Sequence, residues 1–549
     1  MRNDFLDGPR SGVIRDLREY SPGATVKTDI CVIGAGAAGI TIARELAGGT
    51  QEVCLVDGGG LEYGFPDSQE LYQGDTVGAP VSLIGGRLRF LGGSTNHWGG
   101  RCAALQDIDF RQREWIPHSG WPFDKSELDP YYARARRVAG FPSNWLSDTD
   151  TLAYLKVSLP GINTERLQPF MWHYTPATAG NAAWNWGQAY RSVLQESRQI
   201  LALLHANLTA FSANDSRTHV QTATVTALNG VAVTIAAHTF VLCCGGIENA
   251  RLLLLAGEHS PGTFGNRYDL VGRYFMQHPR GSIGVLAGDH RLTRLQDQFN
   301  ILRGRDGVQV EVGLTLSPRV QQADRLLNCS AALQYQGDPD AGVTAAQDIW
   351  RSLLAGQWSP DMGEKVGRIA GDLGDVLTRL EHRLASRQSL DLEGAGGVPS
   401  RSAVLLADLE QAPDPASRVT LAAQRDSLGL RQVQVDWRHG ELERRTAERF
   451  CSYIAADFAR LGIGRCRMEP WLQNSKIAIS DAMNETFHHI GTTRMADDPR
   501  EGVVDRNCAV HGMDNLYVAG SSVFPTSGQA NPTFTIVALA LRLADKLKS

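Results

Sequence analysis

The chain of 549 residues has no apolar run of the roughly 18 residues that a membrane-spanning helix needs. Basic charge is not in excess either, since 54 Lys and Arg stand against 59 Asp and Glu. A net charge of -5 gives no electrostatic reason to expect nucleic acid or an anionic membrane as a partner. Because the first residues also lack the apolar core of a signal peptide, we expect a cytoplasmic protein.

Metal-binding patterns are missing as well. The nine cysteines include no CxxC pair and no Cys/His spacing typical of a zinc or iron–sulfur site. Most lie in apolar runs, as Cys243 and Cys244 do in "FVLCCGG". Free buried thiols of this kind are typical of a reducing compartment. The sequence therefore predicts no metal site.

Glycine, by contrast, is plentiful. The 57 glycines cluster near 34–39, 58–60, 85–100 and 245–246, which indicates backbone pressed against a ligand. The length predicts two or three substructures, and an apolar fraction of 42% is enough for a large core.

The first glycine cluster lies in a pattern typical of dinucleotide binding. An apolar strand at 30–33 meets the spacing Gly34-x-Gly36-x-x-Gly39, followed by a helical stretch and a second apolar strand that ends at Asp57. The glycines allow a tight turn and close approach of a pyrophosphate, and the helix N-terminus offers free N–H groups to it. Asp57 would accept hydrogen bonds from a ribose 2'-hydroxyl, which favours NAD or FAD over NADP.

Later segments favour FAD. The chain continues with a second glycine-dense stretch, "LIGGRLRFLGGSTNHWGGRC", instead of alternating βαβ units. Two more strand–turn–helix patterns follow at 240–257 and 515–547. We therefore expect a dinucleotide-binding domain assembled from the N-terminus, the middle and the C-terminal end of the chain.

With these motifs the chain resembles the glucose–methanol–choline (GMC) family of FAD-dependent oxidoreductases over nearly its whole length. The match rests on the first glycine motif with Asp57, "GGSTNHWGG" at 92–100, "CGGIENARLLL" at 244–254, and the block from "HHIGTTRM" to "SGQANPTFTIVALALRLAD". Within the family, the pair His488 and Asn531 is similar to that of pyranose 2-oxidase.

The resemblance implies an α/β fold in which a Rossmann-type FAD-binding domain joins a substrate domain built on an antiparallel sheet flanked by helices. The FAD-binding domain is expected at 1–120, 195–270 and 480–549, and the substrate domain at 121–194 and 271–479. Strand patterns occur near 270–340 and 402–470, and those at 402–470 are expected to close the sheet. A helical insertion is expected around 342–395.

The resemblance also implies which residues contact FAD. They are Gly34, Gly36, Ala38, Gly39, Asp57, Gly58, Arg89, Gly92, Gly93, Ser94, Asn96, His97, Gly99, Gly100, Cys244, Gly245, Asn249, Gly520, Ser521, Asn531 and Thr533.

Two adjacent histidines are candidates for a base. Oxidation of an alcohol by a flavin removes a hydride from the carbinol carbon and a proton from the hydroxyl, and histidine has a pKa suited to taking that proton. In the family the catalytic histidine lies three residues before the glycine of the "GTTRM" turn, which implies His488 here. His489 should point the other way, and we expect it to be a hydrogen-bonded structural residue.

Asn531 has two compatible interpretations. Asn before Pro532 is a natural N-cap for the apolar helix that follows, which should be buried. The resemblance implies that its amide also holds the substrate oxygen beside His488.

His97 is a third candidate. In pyranose 2-oxidase the histidine of a Ser-Thr-His-Trp run is joined covalently to the flavin, whereas here Asn96 is inserted in Ser94-Thr95-Asn96-His97-Trp98. The insertion argues against a covalent bond, so we expect this loop to pack on the isoalloxazine.

The predicted function is FAD-dependent oxidation of a hydroxyl of a sugar or glycoside, with oxygen or another acceptor as the second partner. A tailoring oxidase of an aminosugar or glycoside natural product is the main alternative. A hydroxynitrile-lyase-like enzyme that keeps FAD without redox chemistry is another, and a non-catalytic flavin protein is disfavoured by the His488/Asn531 pair.

Overall fold

The structure is a computed structural model that describes residues 13–548 with gaps at 65–67, 143–147, 178–182, 259, 289, 305–307, 338–344, 346–348, 350–361 and 372–399. Within those residues, no helix combines the length and the apolar character that crossing a membrane would require. The described strands form three sheets, and the cavity described below lies between the two large ones.

The first large sheet is mostly parallel. Its central strands are Thr25–Ile33 and Val53–Val56, and where they pair, at 30–33 and 53–56, both are apolar and buried, as expected for a sheet covered on both faces. The strand order is Val13–Asp16, Ile200–Leu204, Val53–Val56, Thr25–Ile33, Ala232–Leu242, Val220–Thr226 and Asn207–Ala213, with Leu516–Val518 also paired to Ala232–Leu242. The sheet thus joins three distant segments of the chain.

Three helices lie against this sheet. Ala37–Leu46 and Gly245–Gly257 each begin just after a central strand, and Thr533–Lys548 packs on Ala37–Leu46. The last helix is buried along most of its length, from Phe534 to Ala544, which confirms the burial predicted from its apolar sequence.

The second large sheet is antiparallel. It follows the order Gly464–Met468, Arg280–Gly288, Ser400–Leu409, Cys329–Gly337, Gln309–Leu316, Leu167–Tyr174 and Arg101–Cys102, with Ile301–Arg303 beside Gln309–Leu316. The long helix Glu441–Arg460 packs against it. A mixed α/β fold with a Rossmann-type sheet and an antiparallel sheet is therefore confirmed.

One strand prediction needs a correction. The strands Arg418–Arg425 and Arg431–Trp437 do not extend the antiparallel sheet, and instead form a small third sheet with Gly74–Gly78. Only Ser400–Leu409 and Gly464–Met468, from the predicted region 402–470, join the large sheet.

Shorter helices connect these layers. Of the expected insertion at 342–395, the helix Met362–Gly371 is described, and most of the remainder lies outside the described residues. The other α-helices are Asp107–Phe110, Asp129–Val138, Asp148–Leu155, Trp186–Ala189, Arg191–Glu196, His290–Gln296, Pro318–Asp324, Pro470–Gln473 and Ile479–Ala482.

Candidate active site

A cavity of about 1090 Å³ lies between the two large sheets. This volume is slightly above the usual range of ligand pockets, about 300–1,000 Å³, and suits a large cofactor together with a substrate. One end is lined by the turn at Gly34 and Gly36, and the other by side chains of the antiparallel sheet. We call these the cofactor end and the substrate end.

The glycines of the first motif have different structural roles. Gly34 has a φ of 107°, and a Cβ there would lie 2.6 Å from the carbonyl oxygen of Cys243. A Cβ on Gly39 would overlap the carbonyl oxygen of Gly34, so Gly39 allows the helix to pack on the turn. Gly36, at the start of the helix Ala37–Leu46, faces open space with no protein atom within 4 Å of a Cβ. That space lets a pyrophosphate approach the free N–H groups of the helix.

Asp57 lies at the edge of the cofactor end with 9% of its surface exposed. Its two carboxylate oxygens accept backbone N–H groups from Ala35 and Gly59, at 3.0 and 2.9 Å. Burial raises the pKa of Asp57 against the effect of those two hydrogen bonds. Each oxygen keeps a second lone pair for a ribose hydroxyl, so the predicted role fits the geometry.

The cofactor end also carries Arg89, which lies beside Gly58. Its guanidinium donates to the Asn207 Oδ1 at 2.5 Å and stacks on Tyr72, while its buried Nε has no hydrogen-bond partner among the described residues. A Cβ on Gly58 would lie against this guanidinium. Together with the open space at Gly36 and at Gly245, an unpartnered buried donor fits a phosphate-bearing cofactor such as FAD.

Most of the predicted cofactor residues line the cavity. They are Gly34, Gly36, Ala38, Asp57, Gly58, Arg89, Gly93, Ser94, His97, Gly99, Cys244, Gly245, Gly520, Ser521, Asn531 and Thr533.

Five predicted residues do not line it: Gly39, Gly92, Asn96, Gly100 and Asn249. Asn249 is fully buried, accepts the backbone N–H of Cys244 and donates to the Ser522 hydroxyl at 3.0 Å. It thereby holds two cavity loops together. These five positions support the loops that line the cavity, and their contact with FAD stays a prediction.

The second glycine-rich segment forms a short 3₁₀ turn at Gly93–Asn96. The inserted Asn96 points into the protein and donates its Nδ2 to the Leu91 carbonyl oxygen at 3.0 Å. His97 follows it and lines the cavity, and partial burial lowers its pKa. Trp98 donates to the Trp184 carbonyl oxygen and packs edge-on against Trp186.

His488 and Asn531 come together between the two ends of the cavity. Asn531 Nδ2 lies 3.4 Å from His488 Nε2, and both residues line the cavity. Burial, the neighbouring His278 and the Arg280 charge lower the pKa of His488 well below its ordinary value. At neutral pH the imidazole is therefore uncharged and able to accept a proton.

His489 has different neighbours. Its ring stacks on Phe275 with centroids 5.9 Å apart, and burial followed by the Arg87 charge lowers its pKa to about 3. Its buried Nε2 has no hydrogen-bond partner among the described residues. The structure thus gives His489 a stacking contact and no hydrogen bond at Nε2, and His489 lines the same cavity as His488, so its structural role stays a prediction.

Asn531 does not cap the last helix in the way its sequence suggests. The helix begins at Thr533, and the Asn531 Oδ1 is buried without a hydrogen-bond partner among the described residues. The amide is turned toward His488 instead, so the N-cap interpretation was wrong. A side-chain oxygen without a partner at the cavity is available to a ligand.

The residue before the base is strained. Phe487 has a φ of 60°, an unfavourable conformation for a bulky side chain that costs about 1–3 kcal/mol. Its ring lies where a Cβ of Gly86 would be, and 44% of its surface is exposed. Because the Phe487 ring fills the space beside Gly86, the position of the next residue, His488, depends on the second glycine-rich segment.

The substrate end carries a group of charged side chains that the sequence did not reveal. In this arginine–carboxylate cluster, Asp408 accepts from Arg101 and Arg280, each at 3.0 Å. Glu311 lies 2.9 Å from Arg101 Nε and accepts the Tyr174 hydroxyl at 2.8 Å. Its members come from four strands, so no spacing along the chain could have brought them together.

Sequence profiles of known families match most of these regions. The profile described as FAD dependent oxidoreductase matches residues 29–263, and the profile described as GMC oxidoreductase matches residues 413–540. The first covers the cofactor end, and the second covers His488 and Asn531.

Individual proteins are similar at low identity. The chain is 27% identical to the fructose dehydrogenase large subunit of Gluconobacter japonicus over 57% of its own length, which spans 47% of that protein. It is 25% identical to 6'''-hydroxyparomomycin C oxidase of Streptomyces lividus over 95% of this chain and 91% of that one. A crystal structure of formate oxidase matches the fold with a TM-score of 0.55 at 18% identity, covering 96% of this chain and 99% of the other.

Proposed function

Because the chain belongs to the GMC family of FAD-dependent oxidoreductases, we propose that it oxidises a hydroxyl of a sugar or glycoside to a carbonyl with His488 as the base. The observation that carries this proposal is the His488 imidazole beside the Asn531 amide, 3.4 Å apart on the cavity wall. Residues from the family's glycine-rich motifs line the same cavity.

His488 and Asn531 have different roles toward the substrate hydroxyl. His488 Nε2 accepts the hydroxyl proton, and the Asn531 amide donates to the same oxygen and orients it. When bound, FAD supplies the acceptor for the hydride that leaves the carbinol carbon. Loss of that hydride and that proton leaves a carbonyl, and oxygen or another acceptor takes up the two electrons afterwards.

The surroundings of His488 support a base that works at neutral pH. An imidazole with an ordinary pKa near 6.5 would be partly protonated there, whereas the lowered pKa keeps His488 free to accept a proton. The cost is a weaker base, which suits a proton that leaves together with the hydride. The Arg280 and Arg101 charges contribute to this lowering of the His488 pKa.

The arginine–carboxylate cluster supports a polyhydroxylated substrate. Carboxylates that are fixed by arginines keep lone pairs for sugar hydroxyls, and arginine N–H groups can donate to ring or hydroxyl oxygens. Of this cluster, Arg101, Arg280 and Glu311 line the cavity, and Asp408, which does not, is the shared partner of the two arginines. The two arginines and the two carboxylates balance, which favours a neutral sugar or glycoside over a cationic aminosugar.

The test is an anaerobic screen of flavin reduction across mono- and disaccharides, glycosides and aminosugars. We expect bleaching of the flavin by a neutral sugar or glycoside, and a rate about 10²–10⁴-fold lower in His488→Ala with FAD still bound. His489→Ala should keep most of the rate. If His489→Ala abolished reduction and His488→Ala reduced normally, the roles of the two histidines would be exchanged.

An aminoglycoside tailoring oxidase is the second candidate, favoured by the similarity to 6'''-hydroxyparomomycin C oxidase along nearly the whole chain. Faster bleaching by aminosugars than by neutral sugars would establish it. A protein that binds FAD and is bleached by no alcohol, yet cleaves a cyanohydrin, would instead be a hydroxynitrile-lyase-like enzyme.

The state of the cofactor follows from the Asn96 insertion. We expect the purified protein to be yellow and to release most of its FAD on acid precipitation, because Asn96 alters the run in which relatives form a covalent bond. Flavin that stayed with the pellet, and was lost from it in His97→Ala, would show a covalent link.

The nine cysteines form no disulfide bond, which supports the proposal of a reducing, cytoplasmic location.

A further inference from the structure

A third histidine lies directly behind the proposed base. His278 precedes the strand Arg280–Gly288 and has 1% of its surface exposed, and it does not line the cavity. Its Nδ1 lies 2.9 Å from the His488 Nδ1, with the two rings nearly perpendicular at 76°. Two ring nitrogens this close need one proton between them.

The other nitrogen of His278 decides where that proton resides. His278 Nε2 lies 3.4 Å from the Ser527 carbonyl oxygen, and a carbonyl can only accept a hydrogen bond. Nε2 of His278 therefore carries the proton, which leaves Nδ1 of its neutral ring as an acceptor. It follows that the His488 Nδ1 is the donor and that the His488 Nε2 carries a lone pair, which faces the Asn531 Nδ2 at 3.4 Å.

We propose that His278 is a positioning residue that holds His488 in the tautomer whose Nε2 faces the substrate as a base. This inference rests on the proposed function, because it assigns a task to the nitrogen that accepts the substrate proton. In the opposite tautomer, His488 Nε2 would carry a proton and could not act as a base. His278 would then turn a lone pair toward the Ser527 carbonyl oxygen, which is repulsive.

The same contact stabilises the protonated state. After Nε2 accepts the substrate proton, His488 is an imidazolium whose Nδ1–H still donates to His278. His278 is held in place from its own backbone, since its carbonyl oxygen accepts the Thr486 hydroxyl at 2.9 Å. The charged groups that act on the pair are Asp408, Arg280, Glu410 and Arg101.

Burial lowers the pKa of His278, and the Asp408 charge opposes this effect. A neutral His278 is what the hydrogen-bond pattern requires. A second protonated ring facing His488 would compete for the same contact, so the neutral form keeps Nδ1 available as an acceptor.

The test compares two replacements of His278 in the FAD-loaded enzyme. In His278→Asn the amide oxygen can still accept from the His488 Nδ1–H, whereas His278→Leu removes every acceptor. We expect the anaerobic reduction rate at saturating sugar to fall about 10²–10⁴-fold in His278→Leu, as for a base in the wrong tautomer, and to recover to within about tenfold in His278→Asn. His439→Leu, which replaces a histidine stacked on Trp437, serves as the control for loss of an imidazole.

The pH profile and the substrate affinity separate positioning from packing. In His278→Leu the ionisation that limits reduction should change its apparent pKa, while the substrate dissociation constant changes less than the rate. Equal rates in the wild type and His278→Leu would overturn the proposal. So would a His278→Asn variant that binds FAD normally but is as slow as His278→Leu, because that result would indicate packing alone.

A direct readout needs no turnover. Neutron diffraction, or ¹⁵N NMR of the protein labelled with [¹⁵N]histidine, should show the His488 proton on Nδ1 and the His278 proton on Nε2. A proton on the His488 Nε2 in the resting protein would refute the inference even if His488→Ala were inactive. Conversely, the expected tautomers together with an active His488→Ala would leave the contact intact and refute the proposed function.

Discussion

The two ends of the cavity are held by different kinds of interaction. The cofactor end is mostly backbone, with a glycine turn, a helix N-terminus and loops tied by hydrogen bonds to Asn249. The substrate end is mostly side chain, with the arginine–carboxylate cluster, and the side-chain contact between His278 and His488 lies between the two ends. A change at the cofactor end therefore acts through the room for a Cβ, and a change at the substrate end acts through charge and protonation.

The largest effect is expected within the first glycine motif. In Gly39→Ala the new Cβ would overlap the Gly34 carbonyl oxygen, so the helix cannot pack on the turn, and we expect little folded protein by circular dichroism. Gly36→Ala meets no protein atom within 4 Å and is the matched control. It should fold normally but bind FAD more weakly, because the methyl group occupies the space of the pyrophosphate.

Equal behaviour of these two variants would break the distinction between a packing glycine and a ligand-facing glycine. A Gly36→Ala protein with wild-type affinity for FAD, measured by titration of the apoprotein, would show that the phosphates do not approach that position.

The second effect concerns the arginine–carboxylate cluster. Asp408 is 4% exposed, and Asp408→Asn would leave Arg280 and Arg101 without their shared carboxylate. Removing one partner of a buried ion pair costs about 3–5 kcal/mol. We expect a loss of this size in urea denaturation, together with a higher KM for the sugar. The control Asp497→Asn breaks an exposed pair with Arg506 and should leave the urea midpoint unchanged.

The stability of the protein at low pH should depend on the same carboxylate. Burial raises the pKa of Asp408, but the Arg280 and Arg101 charges outweigh it and the pKa lies below its ordinary value of 3.8. The stability from this group is thus fully present above about pH 4 and is lost as the pH falls through the lowered pKa. Asp408→Asn should remove that part of the acid transition, and an unchanged transition would contradict the assignment.

The difference between the two ends also explains what the sequence predicted. The glycine motif and Asp57 lie within one stretch of 30 residues, so their spacing alone predicted the turn, the helix and the strand that the structure has. His488 and Asn531 were found because the family's motifs mark them, although no spacing rule links two residues that far apart.

His278 and the members of the cluster had no such mark. A single histidine before Pro279 has no informative periodicity, and its contact with His488 spans 210 residues. The arginines and carboxylates are ordinary surface residue types until the strand pairing places Arg280 opposite Asp408. The capping rule failed at Asn531 because a nearby imidazole competes with the helix N-terminus for the amide.

A smaller effect is expected from His489. Burial and the Arg87 charge lower its pKa to about 3, whereas in the unfolded chain it titrates near 6.5. The unfolded state therefore binds the extra proton first, and the free energy of unfolding falls as the pH drops below 6.5, by about 1.4 kcal/mol per pH unit for one histidine. In His489→Leu the slope between pH 6.5 and 5 should decrease by that amount.

Urea denaturation at several pH values measures this slope. His238→Leu is the control, because the His238 side chain is 86% exposed. An unchanged slope in His489→Leu would mean that the His489 ring gains a proton within the folded protein and is less isolated than its stacking on Phe275 indicates.

The smallest effect separates the two interpretations of Asn531. If its amide served as an N-cap, Asn531→Ala would cost about 1 kcal/mol of stability. In the structure the amide faces His488 and its oxygen has no partner among the described residues, so we expect a change below about 0.5 kcal/mol with a clear loss of flavin reduction. Ser317→Ala is the control for loss of a true N-cap, because the Ser317 hydroxyl accepts the Val320 N–H at 3.2 Å at the start of the helix Pro318–Asp324. Ser317→Ala should cost about 1 kcal/mol and leave reduction unchanged. A loss in Asn531→Ala equal to that in Ser317→Ala would show that the asparagine stabilises the helix after all, and that its amide leaves the cap when it orients a substrate.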